Sequence, residues 1–273
     1  MRVLSFALAF ALAPLCAAQI GQTERQRLRH LPEPQPNLYT TAPEQHGRQV
    51  ESGTRPAIML TGYWSPTNVM VRAFSTNPAL NPNGWIGSNW EGRGYDVYSY
   101  FPDLCCGQGP QGSGDLEVDY QDTSADFWPL ADGIDPVAII TFSRGLADDS
   151  WEVEYRQRNL VNWIPDYTAP LQPTPAPPDA SVPADTIRLS TLPVQEIVDF
   201  VDLMDIQVDP YVNFNGFGGG FLSEFIAYHG TWYQDIHSDP NLPDWCVAGG
   251  HVHVGVMVGT LNAKRATKPP CAA

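Results

Sequence analysis

Residues 213–228 read Asn-Phe-Asn-Gly-Phe-Gly-Gly-Gly-Phe-Leu-Ser-Glu-Phe-Ile-Ala-Tyr. A short β-prone run, Tyr211 to Phe214, precedes four glycines between 216 and 220, and an apolar-rich segment begins at Phe221. The pattern is that of a strand end, a tight turn and a helix start, with Ser223 in the first helical turn. The first turn of a helix has N–H groups without intrahelical acceptors and the positive end of the backbone dipole. A nucleophilic side chain held there stands beside a ready anion site.

Outward from this stretch, apolar runs and helix signals alternate. Pro56 to Gly62 is a continuous apolar run closed by glycine and predicts a buried first strand; a helix follows from Asn68 to Phe74. Tyr95 to Phe101 alternates like a strand, Tyr120 to Leu130 has helical character, and Asp135 to Phe142 predicts another buried strand. Trp151 to Asn159 alternates apolar and charged residues and reads as one strand, whereas residues 166–184 are crowded with proline and read as loop. Ser190 or Thr191 is the expected N-cap of a helix reaching about Met204, with Pro193 in its first turn, and Val247 to Met257 is the last strand. Buried strands alternating with helices imply an α/β layered fold.

The 273 residues, 43% of them hydrophobic, suffice for one sizeable core. Residues 1–18 hold one arginine, Arg2, an apolar run from Val3 to Leu15 and the small-residue end Cys16-Ala17-Ala18, the pattern of a secretory signal peptide and too short for a membrane span. Residues 19–55 lack apolar periodicity and predict an extended or disordered lead-in; 56–260 form the domain and 261–273 a C-terminal tail. An exported chain with four remaining cysteines suggests disulfides, Cys105 and Cys106 pairing with Cys246 and Cys271 in one of two ways unless some stay as thiols. Thirty acidic against fifteen basic residues give a net charge of −15, which argues against nucleic acid or an anionic membrane as partner.

Glu154 on a strand, Ser223 at a helix start, and His251 and His253 on a late strand supply a carboxylate, a hydroxyl and a base. His-x-His also invites a metal reading, with His229 or His237 as third ligand, although no third ligand has diagnostic spacing and no cofactor is expected. The chain resembles the pyroglutamyl peptidases over residues 57 to about 256. Leu60-Thr61-Gly62-Tyr63 matches the family's Thr-Gly-Phe strand end, and Ser190-Thr191-Leu192-Pro193 its Ser-Thr-Leu-Pro helix start. Phe221 to Tyr228 is similar to its Tyr-Leu-Cys-Asn-Tyr-Val-Met-Tyr block, and His251-Val252-His253-Val254 to its Ile-His-Val-Pro segment. The resemblance implies a three-layer α/β/α sandwich with a mixed, mostly parallel sheet. It places the catalytic cysteine on Ser223, the histidine on His253 and the acidic partner on Glu154, where Val153-Glu154 followed by Asn159 resembles Ile-Glu-Arg-x-x-x-Asn.

It further implies a hydrolase acting on a peptide or small amide substrate, with N–H groups of the turn at Gly219 and Gly220 stabilising the oxyanion. Tyr63 stands near a ring-binding phenylalanine of the family, and Ser143-Arg144 replaces a glycine followed by a ring-recognising residue. Tyr63, Trp64 and Arg144 are therefore the expected substrate contacts. The alternative is a non-catalytic secreted binding protein that holds a ligand with the same three residues.

Overall fold

A computed structural model describes residues 55–267 except 106, 108 and 217. The expected signal peptide, almost all of the lead-in, Cys106 and Cys271 lie outside the described residues. Strand β1, Ala57–Thr61, is followed by a short helix α1, Thr67–Val71, that tightens into a 3₁₀ turn at Arg72–Phe74. Strand β2 spans Asp96–Tyr100, helix α2 Tyr120–Ile134 and strand β3 Pro136–Arg144. The Asp119 carboxylate caps α2 by accepting from the N–H groups of Gln121 and Asp122 at 2.8 and 3.1 Å. Strands β4 (Ser150–Glu154), β5 (Arg156–Arg158) and β6 (Ile187–Leu189), helix α3 (Val194–Leu203) and strand β7 (Asp209–Asn213) come next. Helix α4 (Leu222–Ile236), strand β8 (Ala248–Val254) and helix α5 (Thr260–Thr267) complete the described chain.

The main sheet has the order β2-β1-β3-β8-β4-β7. Its first four strands are parallel, as are β4 and β7 to each other, and the two blocks meet antiparallel at β8 and β4. Both faces are covered. Leu60, Val97, Phe142, Val153, Val212 and Val252 pack with Met70 and Val71 of α1, Val194, Val198 and Val201 of α3, and Ala263 and Ala266 of α5. Met59 and Ile139 pack on the other side with Tyr120, Phe127 and Ala131 of α2 and with Leu222, Phe225, Ile226 and Tyr233 of α4. Two helical layers enclosing the sheet make the expected α/β/α sandwich with a mixed, mostly parallel sheet. No helix among the described residues is long and apolar enough to cross a membrane.

Three local expectations change. The run from Trp151 to Asn159 is two strands, because Tyr155 donates its N–H to Asn213 and accepts from Ser190 N–H, leading the chain out of the main sheet to pair β5 with β6. Ser190 and Thr191 do not cap α3, whose N-cap is Pro193. Thr191 instead exchanges hydrogen bonds with Gly249, its hydroxyl accepting at 2.8 Å and its N–H donating at 2.9 Å, which pins the loop to β8. The folded body also continues past residue 260, for Ala263 on α5 is fully buried in the core.

The proline-rich segment between β5 and β6 is fixed by a buried charge cluster. Asp179 accepts from Arg188 at 2.8 Å, from the Tyr228 hydroxyl of α4 at 3.3 Å, and from the Ser181 N–H and hydroxyl at 2.9 and 2.5 Å. Arg188 also pairs with Asp235 and donates to the Tyr228 oxygen at 3.1 Å. Asn159 closes the cluster by bonding the Asp179 backbone in both directions.

Candidate active site

Side chains alternate across a strand, so one face of β3, β8 and β4 carries Phe142, Val252, Val254, Trp151 and Val153, all in the first core cluster. The opposite face then carries Thr141, Ser143, His251, His253, Glu152 and Glu154. Helix α4 lies over this polar face, admitted by two glycines. A Cβ on Gly249 would stand 2.6 Å from Gln234 Cβ and 2.9 Å from Gly230 oxygen, and one on Gly230 would stand 3.1 Å from Thr141 Cγ2. Burying such a face is costly unless its polar atoms find one another.

They largely do. His253 Nδ1 and Glu154 Oε1 are 2.9 Å apart, with Glu154 fully buried and His253 7% exposed. Burial works to lower the His253 pKa, but the Glu154 carboxylate and its hydrogen bond, together with Glu152 and Glu224, carry it up to about 9. Burial pushes the Glu154 carboxyl up at the same time, against the opposing pull of the His253 charge and hydrogen bond, so the two groups titrate as one unit. The second Glu154 oxygen, Oε2, is buried and has no hydrogen-bond partner among the described residues.

Two residues earlier on β8, His251 is in the opposite state. Its Nδ1 lies 2.8 Å from Thr141 Oγ1 and its Nε2 2.8 Å from Ser143 Oγ. Thr141 gives its own proton to the Gly250 carbonyl at 3.2 Å, so Nδ1–H donates to Thr141 and Nε2 accepts from Ser143. Burial, followed by the adjacent His253 charge, holds His251 well below the usual imidazole range and therefore neutral. The two rings meet edge to face with centroids 4.7 Å apart.

Ser223 is half-buried, at the second position of α4. Gly230 approaches Thr141, level with His251, while Gln234 approaches Gly249, so α4 runs antiparallel to β8. Ser223 shares the sheet-facing side of the helix with Gly230, seven residues and about 10 Å further along the axis, and so belongs to the His253 end of β8. No hydrogen bond joins Ser223 to His253 among the described residues. Its neighbour Glu224 is fully buried and accepts from the N–H groups of Gly218 and Arg158 at 2.5 Å each, tying the glycine turn and β5 to the helix. Burial, and then the Glu154 charge, push the Glu224 carboxyl up to about 7.

The expected substrate contacts divide. Tyr63 is 3% exposed, with its hydroxyl bonded to Thr123 at 2.8 Å and its N–H to Thr67; it is a core residue and presents no ring to a ligand. Trp64 and Arg144 do meet, the guanidinium lying 4.4 Å from the Trp64 ring centroid. Gly219 and Gly220, at φ 81° and 71°, form the turn before α4 in a conformation that favours glycine, and the Gly220 carbonyl accepts from Ile164 N–H. Of the four cysteines in the pairing scheme, Cys105 is exposed and Cys246 buried, while Cys106 and Cys271 lie outside the described residues.

The metal reading takes a different shape. His229 bonds the Phe225 carbonyl within an aromatic cluster and His237 the Tyr233 carbonyl at the far end of α4. The group that comes together is Glu154, His251 and His253, with ligand atoms within 4.8 Å of one another. Two histidines and a carboxylate suit zinc. Yet both His251 nitrogens already have hydroxyl partners and His253 Nδ1 faces Glu154, so the residues as arranged do not fit a metal ion.

Thr141, Ser143, Glu224, Tyr167 and Phe221 escaped the sequence reading as site residues. A signal for the first two was present: Thr-x-Ser, Glu-x-Glu and His-x-His each repeat at the two-residue period of a strand, marking a polar face shared by three strands.

The sequence matches no family model and no curated protein. Solved structures share its fold. The pyroglutamyl peptidase I of Bacillus amyloliquefaciens is 14% identical, with a TM-score of 0.55 over 79% of this chain and 92% of that one. A mutant pyrrolidone carboxyl peptidase from Pyrococcus furiosus is 14% identical, with a TM-score of 0.54 over 78% and 94%. The pyrrolidone carboxyl peptidase from Thermococcus litoralis is 15% identical, with a TM-score of 0.50 over 74% and 77%.

Proposed function

We propose that this chain is an exported amide hydrolase acting at a peptide N-terminus or on a related small amide, with Ser223 as nucleophile, His253 as proton shuttle and Glu154 as the carboxylate that orients it. The buried 2.9 Å contact between His253 and Glu154, under the helix that carries Ser223, is the observation that carries this reading. The fold shared with pyroglutamyl peptidases supports it, and residues 1–18 support export.

In the first step the Ser223 oxygen bonds to the amide carbonyl carbon while its proton passes to His253 Nε2. The carbonyl oxygen becomes an oxyanion held by N–H groups of the turn from Gly219 to Leu222. The C–N bond then breaks as His253 returns the proton to the leaving amine. Water, deprotonated by the same imidazole, releases the acyl group and restores the serine. This sequence needs neutral His253. With that group at about 9, only a small fraction is competent at pH 7, and the rate rises with pH towards a plateau above 9.

The test is hydrolysis of pyroglutamyl aminomethylcoumarin across about pH 6–10, a range that brackets the His253 titration. Turnover that climbs through about pH 9 and is abolished in Ser223→Ala is expected. Ser223→Cys shifts activity towards neutrality, because a thiolate beside an imidazolium is already the reactive form. Activity surviving in Ser223→Ala excludes the assigned nucleophile. A second reading, a binding protein on the same fold, is favoured by the missing Ser223–His253 hydrogen bond; ligand binding without turnover of any amide at any pH establishes it instead.

A further inference from the structure

The segments that leave the carboxyl ends of β1 and β3 meet the start of α4 in an aromatic wall that carries Arg144. Trp64 follows β1 by three residues, Arg144 is the last residue of β3 opposite Val254, and Phe221 precedes Ser223 by two. The Trp64 and Phe221 rings are nearly parallel, with centroids 6.3 Å apart, and Tyr167, 45% exposed, meets both edge to face at 6.1 and 6.0 Å. Trp64 is anchored through its indole N–H to the Pro110 carbonyl at 2.8 Å. The exposed Arg144 guanidinium lies on that anchored ring and makes no hydrogen bond or ion pair with any described residue.

A guanidinium stacked on an indole has its plane fixed while its edge N–H groups stay open, the geometry that takes a carboxylate by two parallel hydrogen bonds. In a chain with twice as many acidic as basic residues, many carboxylates are available to pair with it, and none among the described residues does. Carboxyl ends of parallel strands are also where open α/β sheets take their ligands. We infer that Arg144, held by Trp64 and flanked by Tyr167 and Phe221, is a specificity-determining residue that selects amides whose acyl part carries a free carboxylate. This inference rests on the hydrolytic reading for its substrate class. It departs from a pocket for a neutral ring, since Tyr63 is buried and a charged group stands at the end of β3.

The experiment compares the aminomethylcoumarin amide of glutaric acid with its methyl ester, which has nearly the same shape and no charge. In the wild type, kcat/KM for the acid exceeds that for the ester by about tenfold or more, the range of a charge-assisted hydrogen bond. In Arg144→Gln that ratio falls to near one. An unchanged ratio in the variant, or a preference for the ester in the wild type, overturns the inference. If neither compound is hydrolysed, calorimetric titration with glutaranilic acid separates the two claims. Binding that weakens about tenfold in Arg144→Gln upholds the carboxylate site while the hydrolytic reading falls; equal binding by both proteins, or none, overturns the site as well.

Discussion

The domain buries two charged clusters, and they are built to opposite specifications. Around Asp179, each carboxylate oxygen has two partners, Arg188 has a second acid in Asp235, and the whole cluster holds a proline-rich loop against α4. At the junction of β8 and β4, Glu154 keeps one oxygen bonded to His253 and the other without a hydrogen bond among the described residues. A buried ion pair with every lone pair engaged is a fastening. One with a buried oxygen left short of partners gives up stability that full pairing would supply.

The largest effect that would sharpen this contrast is on catalysis. Glu154→Gln keeps the shape but removes the charge, so hydrolysis drops by about 10³-fold or more. His253 titration, followed by NMR, then moves down from about 9 by more than one pH unit. Asp179→Ala has the reverse profile: it leaves Arg188 short of its buried partner and costs about 3 kcal/mol in denaturant unfolding. A loss of hydrolysis in Asp179→Ala as deep as that in Glu154→Gln would erase the distinction.

Next in size is the pH dependence of unfolding. The folded pKa of His253 is raised from 6.5, so its contribution is complete below about pH 6.5 and is lost as pH rises through about 9. Glu224, raised from 4.5 to about 7, acts in the same direction, its ionisation in the fold opposing stability as pH climbs across that interval. Asp179 is the opposite case. Burial favours its neutral form, but bonds from Ser181 and Arg188 prevail and hold it below the usual carboxylate range, so its contribution disappears as pH falls below about 3.8. Glu154→Gln should flatten the alkaline limb and Asp179→Ala the acid one. The smallest effect belongs to the neutral histidine: Ser143→Ala leaves His251 Nε2 without its donor and costs about 1–2 kcal/mol, with no movement of the alkaline limb.

The sequence disclosed the strands of this sheet well because β1 and β3 are covered on both faces and read as unbroken apolar runs. It disclosed the turn before α4 through its glycines. It concealed β6, three residues with Ile187 and Leu189 exposed, since nothing in so short a segment separates strand from loop. Tyr63 was misplaced for a related reason: an aromatic after a strand end suits a pocket or a core equally, and only the hydroxyl of Thr123, sixty residues away, decides between them. The charged state of His253 and the neutral state of His251 are likewise set by neighbours on other strands, so two histidines two positions apart look equivalent until the sheet is assembled.

The position of β8 has a consequence for how the domain comes into being. The last strand of the described chain lies between β3 and β4, near the middle of the sheet, and brings His253 to a glutamate 99 positions earlier. A chain emerging from its amino terminus has the carboxylate, the helix and the serine in hand well before the histidine. Until β8 enters, the two parallel blocks have no common edge, and the polar residues of β3 and β4 have no partner strand between them. Closing the sheet and bringing His253 to Glu154 depend on the same strand, so on the hydrolytic proposal an unfinished chain carries no working fragment of that chemistry.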